Sequence, residues 1–167
     1  KNKVGKHYHS ECFLNREGIG GLVGFEVIFC GGYQNSPAKQ GKILDEYMEW
    51  TMKLQKMLTL DYTESMNNIM KELNVSAAAL ARETELNEAT IRRNISGETF
   101  KIETLVMILL GLHLPYSISE QIITMSPGTL MPNNPSHQWY KFTLQHLYAK
   151  KPKEIRDFLE EHGANPL

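Results

Sequence analysis

The chain has little of what most function classes require. Its 167 residues include only two cysteines, Cys12 and Cys30, too few for a disulfide-stapled secreted scaffold, so reduced thiols and a cytoplasmic setting are expected. The longest apolar runs, "VMILLGLHL" and "GLVGF", are far too short to cross a bilayer, and no membrane partner is expected. No basic start followed by an apolar stretch and a small-residue cleavage site opens the sequence. Charge of one sign is also lacking: the formal net charge is -1 and no global basic field announces a polyanionic partner.

Catalytic signatures are missing as well. "GIGGLVG" has glycines but neither the Gly-Lys-Ser/Thr ending of a phosphate loop nor dinucleotide-binding spacing, and there is no Gly-x-Ser-x-Gly or His-Glu-x-x-His. "HYHSEC" sets His7 and His9 on one face of a strand near Cys12, with Cys30 available across a hairpin, which could converge on zinc. With no evident full ligand set, the preferred reading is a polar hairpin face. Neither enzymatic activity nor a metal or cofactor is expected.

What the sequence does have is helical rhythm. At 41% hydrophobic residues it can bury one good core. Only residues 1–36 carry β character: "HYHSECFL" and the β-branched, aromatic "GLVGFEVIFC" flank the turn-like "NREGIGG", which predicts a hairpin. Two strands are marginal alone, and the chain begins at Lys1 without methionine, so the hairpin is expected to pack on helices, on a partner, or on an upstream domain.

Residues 37–60 place Ile43, Leu44, Tyr47, Met48, Thr51, Leu54, Met57 and Leu58 at spacings of three and four, the apolar face of a long helix that is expected to connect and pack on its neighbours, with a dimerising helix as the alternative. Five shorter helices fit within 61–126. The first starts at Thr63 or Glu64, the second is capped by Ser76, and the third is capped by Asn87 and stops at Ser96-Gly97. "IETLVMILLGL" and "SISEQIITM", the latter capped by Ser117 or Ser119, complete the set. Residues 127–167 begin with the proline-rich loop "SPGTLMPNNPS", followed by two amphipathic helices in which Trp139, Tyr140 and Phe142 read as core.

One segment carries a sharper signal. In a helix-turn-helix, the first helix packs through a large and a small residue, a tight turn follows, and the second helix turns one face to the core and the other to the DNA major groove. Leu80 and Ala81 supply the pair, Leu86 fills the turn, and Ile91 and Ile95 point inward behind the Asn87 cap. Glu88, Ala89, Arg92 and the flanks of Thr90 and Arg93 then face outward. Arginine suits this place because its planar fork pairs with guanine or with phosphate oxygens, and Asn94 adds base-reading chemistry.

The run "LARETELNEATIRRNISGETFKIETLVMILLGLHLP" resembles the lambda-repressor-like, or Xre, family of helix-turn-helix proteins. The likeness covers Tyr62 to about Met125 and rests on the order Leu-Ala, turn, capped helix with Thr-Ile, Gly-Glu corner, and a Glu-Thr-Leu helix ending in Gly-Leu. It implies a mainly α protein with a five-helix DNA-binding domain, here joined to the N-terminal hairpin, the connecting helix and two C-terminal helices. The resemblance implies contacts to double-stranded DNA from Ser76, Ala77, Glu88, Ala89, Arg92, Arg93, Ser96, Thr99 and Lys101, with Asn87 and Thr90 beside them. Ala77 stands where many members have a DNA-reaching glutamine, and Glu85 where the turn usually has glycine. The implied role is sequence-specific transcription regulation, as a homodimer because one small head reads too few base pairs. From Glu64 to Ser126 there are five basic and eight acidic residues, a net of -3, so the alternative expectation is a helix-turn-helix scaffold kept for protein contacts or as a regulatory module of a larger protein.

Overall fold

The computed structural model describes residues 37–165 and Leu167, with side chains from Leu44 onward. The expected hairpin and the His7, His9, Cys12 and Cys30 grouping lie outside the described residues. Among those described there are eight α-helices and no strand: α1 (Pro37–Gln55), α2 (Tyr62–Glu72), α3 (Ala77–Thr84), α4 (Glu88–Ile95), α5 (Ile102–Gly111), α6 (Tyr116–Met125), α7 (Pro135–His146) and α8 (Pro152–Glu161). A mainly α chain is what the periodicities predict.

Local chemistry sets most boundaries. Helix starts leave unpaired backbone N–H groups, and short polar side chains accept from them. The Asp61 carboxylate takes the Glu64 N–H at 2.7 Å, Ser76 Oγ the Ala79 N–H at 3.1 Å, and Asn87 Oδ1 the Ala89 N–H at 2.8 Å. Asn134 does the same for α7, where Pro135 takes a first-turn position that needs no N–H. Ser76 and Asn87 are the expected caps. α2, however, starts one residue before Thr63: Asp61 is the cap, and the Thr63 hydroxyl donates to the Ile95 carbonyl instead. α6 starts directly after Pro115, without a side-chain cap, and not at Ser117 or Ser119; Ser119 is instead fully buried.

Several helices stop through a left-handed residue. Asn74, His113 and Gly163 follow α2, α5 and α8 with φ of 53°, 53° and 67°. Each turns the chain so that the next N–H reaches back to a carbonyl of the last turn: Val75 to Met70 at 2.9 Å, Leu114 to Leu109 at 3.3 Å, Ala164 to Leu159 at 2.9 Å.

The core is built round α5. Residues Thr104 to Gly111 are all buried, so this helix is wrapped on all sides. α3, α4, α7 and α8 all pack on it, while α2 packs on α4 and α6, α1 on α6, and α8 also on α3. One hydrophobic cluster runs from Leu54 through Leu80, Ile91 and Leu109 to Tyr140, Leu144, Ile155 and Leu159. α7 and α8 therefore share a core with the helices of 61–126. Gly111 is required where α5 meets α3: a β-carbon there would lie 2.5 Å from Thr84 Cγ2 and 3.3 Å from Leu80 Cδ2.

Two expectations shift. In α1 the docking surface is Leu54 with Trp50, and Gln55 exchanges amide hydrogen bonds with Gln121 of α6. Leu44 and Met48 of the expected apolar face are half exposed, as is Met52. Of the three aromatics expected in the core of α7, Tyr140 is fully buried, Trp139 is partly covered and Phe142 is 38% exposed, so two of them lie at its edge.

Candidate nucleic-acid interface

The segment singled out by the sequence folds as two short helices, α3 and α4, joined by Glu85, Leu86 and Asn87 and packed against each other. Leu80 is 1% exposed, and Ala81 and Leu86 pack against the core. Glu85 adopts φ 57° and ψ 17°, the left-handed conformation that favours glycine and strains a residue with a β-carbon. The turn is held from outside: Arg156 of α8 donates to the Thr84 carbonyl and pairs with the Glu85 carboxylate at 2.6 Å. The guanidinium thus supplies a donor for a carbonyl at the end of α3 and a cation at the negative end of its dipole.

α4 has two clear faces. Ile91 and Asn94 are fully buried and Ile95 nearly so, while Ala89, Thr90, Arg92 and Arg93 are exposed and Glu88 is half exposed. Asn87 is exposed, but its side-chain oxygen is engaged as the cap. After α4, Gly97 at φ 74° turns the chain, and Ser96, Thr99 and Lys101 continue the exposed surface. Of the family-implied positions in α3, Ser76 is exposed at the helix start. Ala77 is 5% exposed, so it belongs to the core and its side chain is not open to a duplex.

Asn94 also departs from the base-reading role. Its amide nitrogen donates to the Lys101 carbonyl at 2.9 Å and its oxygen accepts from the Tyr62 hydroxyl at 3.2 Å. Burial pushes the Tyr62 phenol well above its ordinary pKa, which keeps it a donor. The ring also meets Phe100 edge-on, with centroids 5.9 Å apart. Together with Thr63, whose hydroxyl donates to the Ile95 carbonyl at 2.9 Å, this network anchors the C-terminal end of α4.

The charges on the exposed face are unequal in availability. Arg92 directs both Nε and an Nη at the same Glu88 oxygen, at 2.9 and 2.6 Å, one helical turn away. Such exposed pairs contribute only about 0.3–0.5 kcal/mol, but they occupy the fork. Among the described residues no ion pair engages Arg93 or Lys101. Tyr62, Thr63 and Arg156, which position α4 and the turn before it, carry no local signal for that role; Arg156 lies 71 residues from Glu85 in sequence.

Among the described residues, no three metal-ligating side chains converge and no helix is long and apolar enough to cross a membrane. No protein-family model, curated protein or solved structure matches the chain.

Proposed function

We propose that residues 61–126 are a helix-turn-helix domain of the lambda-repressor-like, Xre type, and that the chain is a non-enzymatic, cytoplasmic regulator of transcription that binds double-stranded DNA in a sequence-specific way. α3 is the supporting helix and α4 enters the major groove. The observation that carries this reading is the division of α4: Ile91, Asn94 and Ile95 face inward, and Ala89, Thr90, Arg92 and Arg93 face solvent. Ser96, Thr99 and Lys101 extend that surface toward the phosphates, and Ser76 approaches them from the start of α3. Arg93 is the leading base or phosphate contact, since no ion pair holds it among the described residues. Glu88 stands among these positions and, through its pair with Arg92, restrains that guanidinium. Two copies, each reading a half-site, give the selectivity that one head lacks.

The test is binding to fragmented genomic DNA across a salt series. Replacing Arg92 and Arg93 by alanine should weaken binding at least tenfold and lower the slope of log affinity against log salt by about 1 to 2. If the double variant behaves like Lys141→Ala, an exposed α7 control, α4 does not meet the duplex.

A second reading, a helix-turn-helix scaffold serving protein contacts or regulating a larger protein, is favoured by the net charge of -3 over Glu64 to Ser126, the Glu88 pairing and the buried Ala77. Under it the wild-type chain binds no DNA fragment above the level of an equally acidic control protein.

A further inference from the structure

α4 is fastened at its two ends by different parts of the chain. Its C-terminal end is tied within residues 61–126: the Tyr62 hydroxyl donates to Asn94 at 3.2 Å and the Thr63 hydroxyl to the Ile95 carbonyl at 2.9 Å. Its N-terminal end hangs on the turn Glu85, Leu86 and Asn87. Glu85 is left-handed there, at φ 57°, a conformation that disfavours a residue with a β-carbon by about tenfold in population. The left-handed turns after α2, α5 and α8 offset that cost with a main-chain bond back to the last helical turn. After α3 the Leu86 N–H reaches Thr84 Oγ1 instead, a long contact of 3.4 Å to a hydroxyl that itself donates to the Leu80 carbonyl.

Arg156 supplies the missing restraint. One arm of its guanidinium donates to the Thr84 carbonyl and the other pairs with the Glu85 carboxylate at 2.6 Å. The two partners lie on opposite sides of the N–Cα bond of Glu85, and rotation about that bond is the φ angle under strain. A planar fork that grips both therefore opposes the rotation that would relax it. The fork has a fixed base: Ile155 and Leu159 of α8 are fully buried, α8 packs on α3, α5 and α7, and the Arg156 side chain is only 22% exposed.

We propose that Arg156 is a positioning residue for DNA recognition: through its fork, α8 sets the angle at which α4 leaves the turn, which makes the C-terminal helix a working part of the DNA-binding unit. Its effect on binding rests on α4 being the helix that meets DNA; its effect on the turn does not. Without the fork, Glu85 relaxes toward negative φ. Ile91 and Ile95 stay in the core, so the displacement falls on the first turn of α4, which carries the exposed Ala89 and Thr90. The binding-competent population drops, and apparent affinity drops in proportion.

The experiment measures two things on the full chain: amide hydrogen exchange by NMR, and affinity for fragmented genomic DNA across a salt series, under conditions where circular dichroism shows each variant folded. Arg156→Met should speed exchange at Leu86, Ala89 and Ile91 by about tenfold beyond any change at Val75 and Leu114, the amides of two left-handed turns that close without Arg156. It should weaken DNA binding by about tenfold with the salt slope unchanged, because the phosphate contacts are the same once α4 is in place. Adding Glu85→Gly, which adopts the left-handed backbone freely, should restore both readouts. Adding Glu85→Ala, which removes the same charge but keeps the β-carbon, should restore neither. Should Arg156→Met not fold, Arg156→Lys, which keeps the charge but has no fork, takes its place in the series. Unchanged exchange and affinity, or equal rescue by glycine and alanine, would overturn the proposal. So would a salt slope lower by about 1 that Glu85→Gly does not restore, which would make Arg156 a direct phosphate contact. If the wild-type chain binds no fragment, the DNA-binding reading fails and exchange decides alone: reversal by Glu85→Gly supports the fork as the restraint on the turn, and its absence overturns it.

Discussion

Arg156, on the last helix, donates to the main-chain carbonyl of Thr84, the final residue of α3. α2, α5 and α8 close their last turns with a backbone bond through a left-handed residue, whereas at α3 a guanidinium from another element reaches the end of the helix. The turn before α4 is thereby tied to the C-terminal helix. A charge-assisted hydrogen bond to a buried residue's carbonyl is worth about 1.5–3 kcal/mol. Arg156→Met, which keeps the aliphatic stem, should lower unfolding stability by about that much, measured by urea titration. Glu85→Ala should cost much less, since the Glu85 side chain is exposed and the ion pair is screened. Equal losses in the two variants would mean that the ion pair, and not the bond to the carbonyl, fastens α8 to the turn.

Close approach of α3 and α5 gives a second test. Gly111→Ala places a methyl group against Thr84 Cγ2 and Leu80 Cδ2 in a fully packed region. Overpacking of this kind costs about 1–3 kcal/mol. Thr84→Ser removes the clashing methyl but keeps the hydroxyl that bonds the Leu80 carbonyl at 2.6 Å. The double variant should therefore recover most of the loss, and a cycle of the four proteins should show a coupling of at least about 0.5 kcal/mol. Additive effects would place the strain elsewhere.

How far these relationships can be read from the sequence depends on their range. Ser76 and Asn87 are recognisable caps because the acceptor and the N–H it satisfies lie two or three residues apart. The inward direction of Ile91 and Ile95 follows from helical spacing alone. The α1 docking surface is another matter: Leu44, Met48 and Leu54 share a periodicity, but only what packs against them decides that Leu54 and Trp50 are covered and the other two are not. The burial of Ala77 and Asn94 is unreadable for the same reason, one turned into the core and the other drawn in by Tyr62 and the Lys101 carbonyl, partners 32 and 7 residues away. Arg156 has nothing in its own neighbourhood to distinguish it from a solvated helix arginine.

High pH should expose the Tyr62 burial. Its phenol is raised in the folded state, so above about pH 10 the unfolded chain loses that proton while the folded chain keeps it. Stability is then full below pH 10 and falls as pH rises beyond it, by up to about 1.4 kcal/mol per pH unit for this one group. Tyr116 and Tyr140 are raised in the same direction and add to the fall. Tyr62→Phe loses the bond to Asn94, worth about 1 kcal/mol, but should flatten the stability profile between pH 10 and 12 relative to wild type. An unchanged profile would mean that the buried phenol ionises as freely as one in water.

Residues that build α4 and residues proposed to use it should respond differently to substitution. Asn94→Ala removes two hydrogen bonds inside the protein and leaves the Lys101 carbonyl and the Tyr62 hydroxyl short of a partner, which should cost about 2–3 kcal/mol. Because Asn94 is fully buried, the fraction that remains folded should bind DNA with an unchanged salt slope. Glu88→Gln should do the reverse: stability moves by less than about 0.5 kcal/mol, since an exposed pair is lost, while Arg92 is released and a negative charge leaves the exposed face. DNA binding should strengthen several-fold and its salt slope should steepen. Electrophoretic mobility shifts at two salt concentrations, with folding followed by circular dichroism, measure both. Should Glu88→Gln leave binding unaltered while Asn94→Ala changes the slope, the outward face of α4 is not where phosphates are met, and the scaffold reading takes its place.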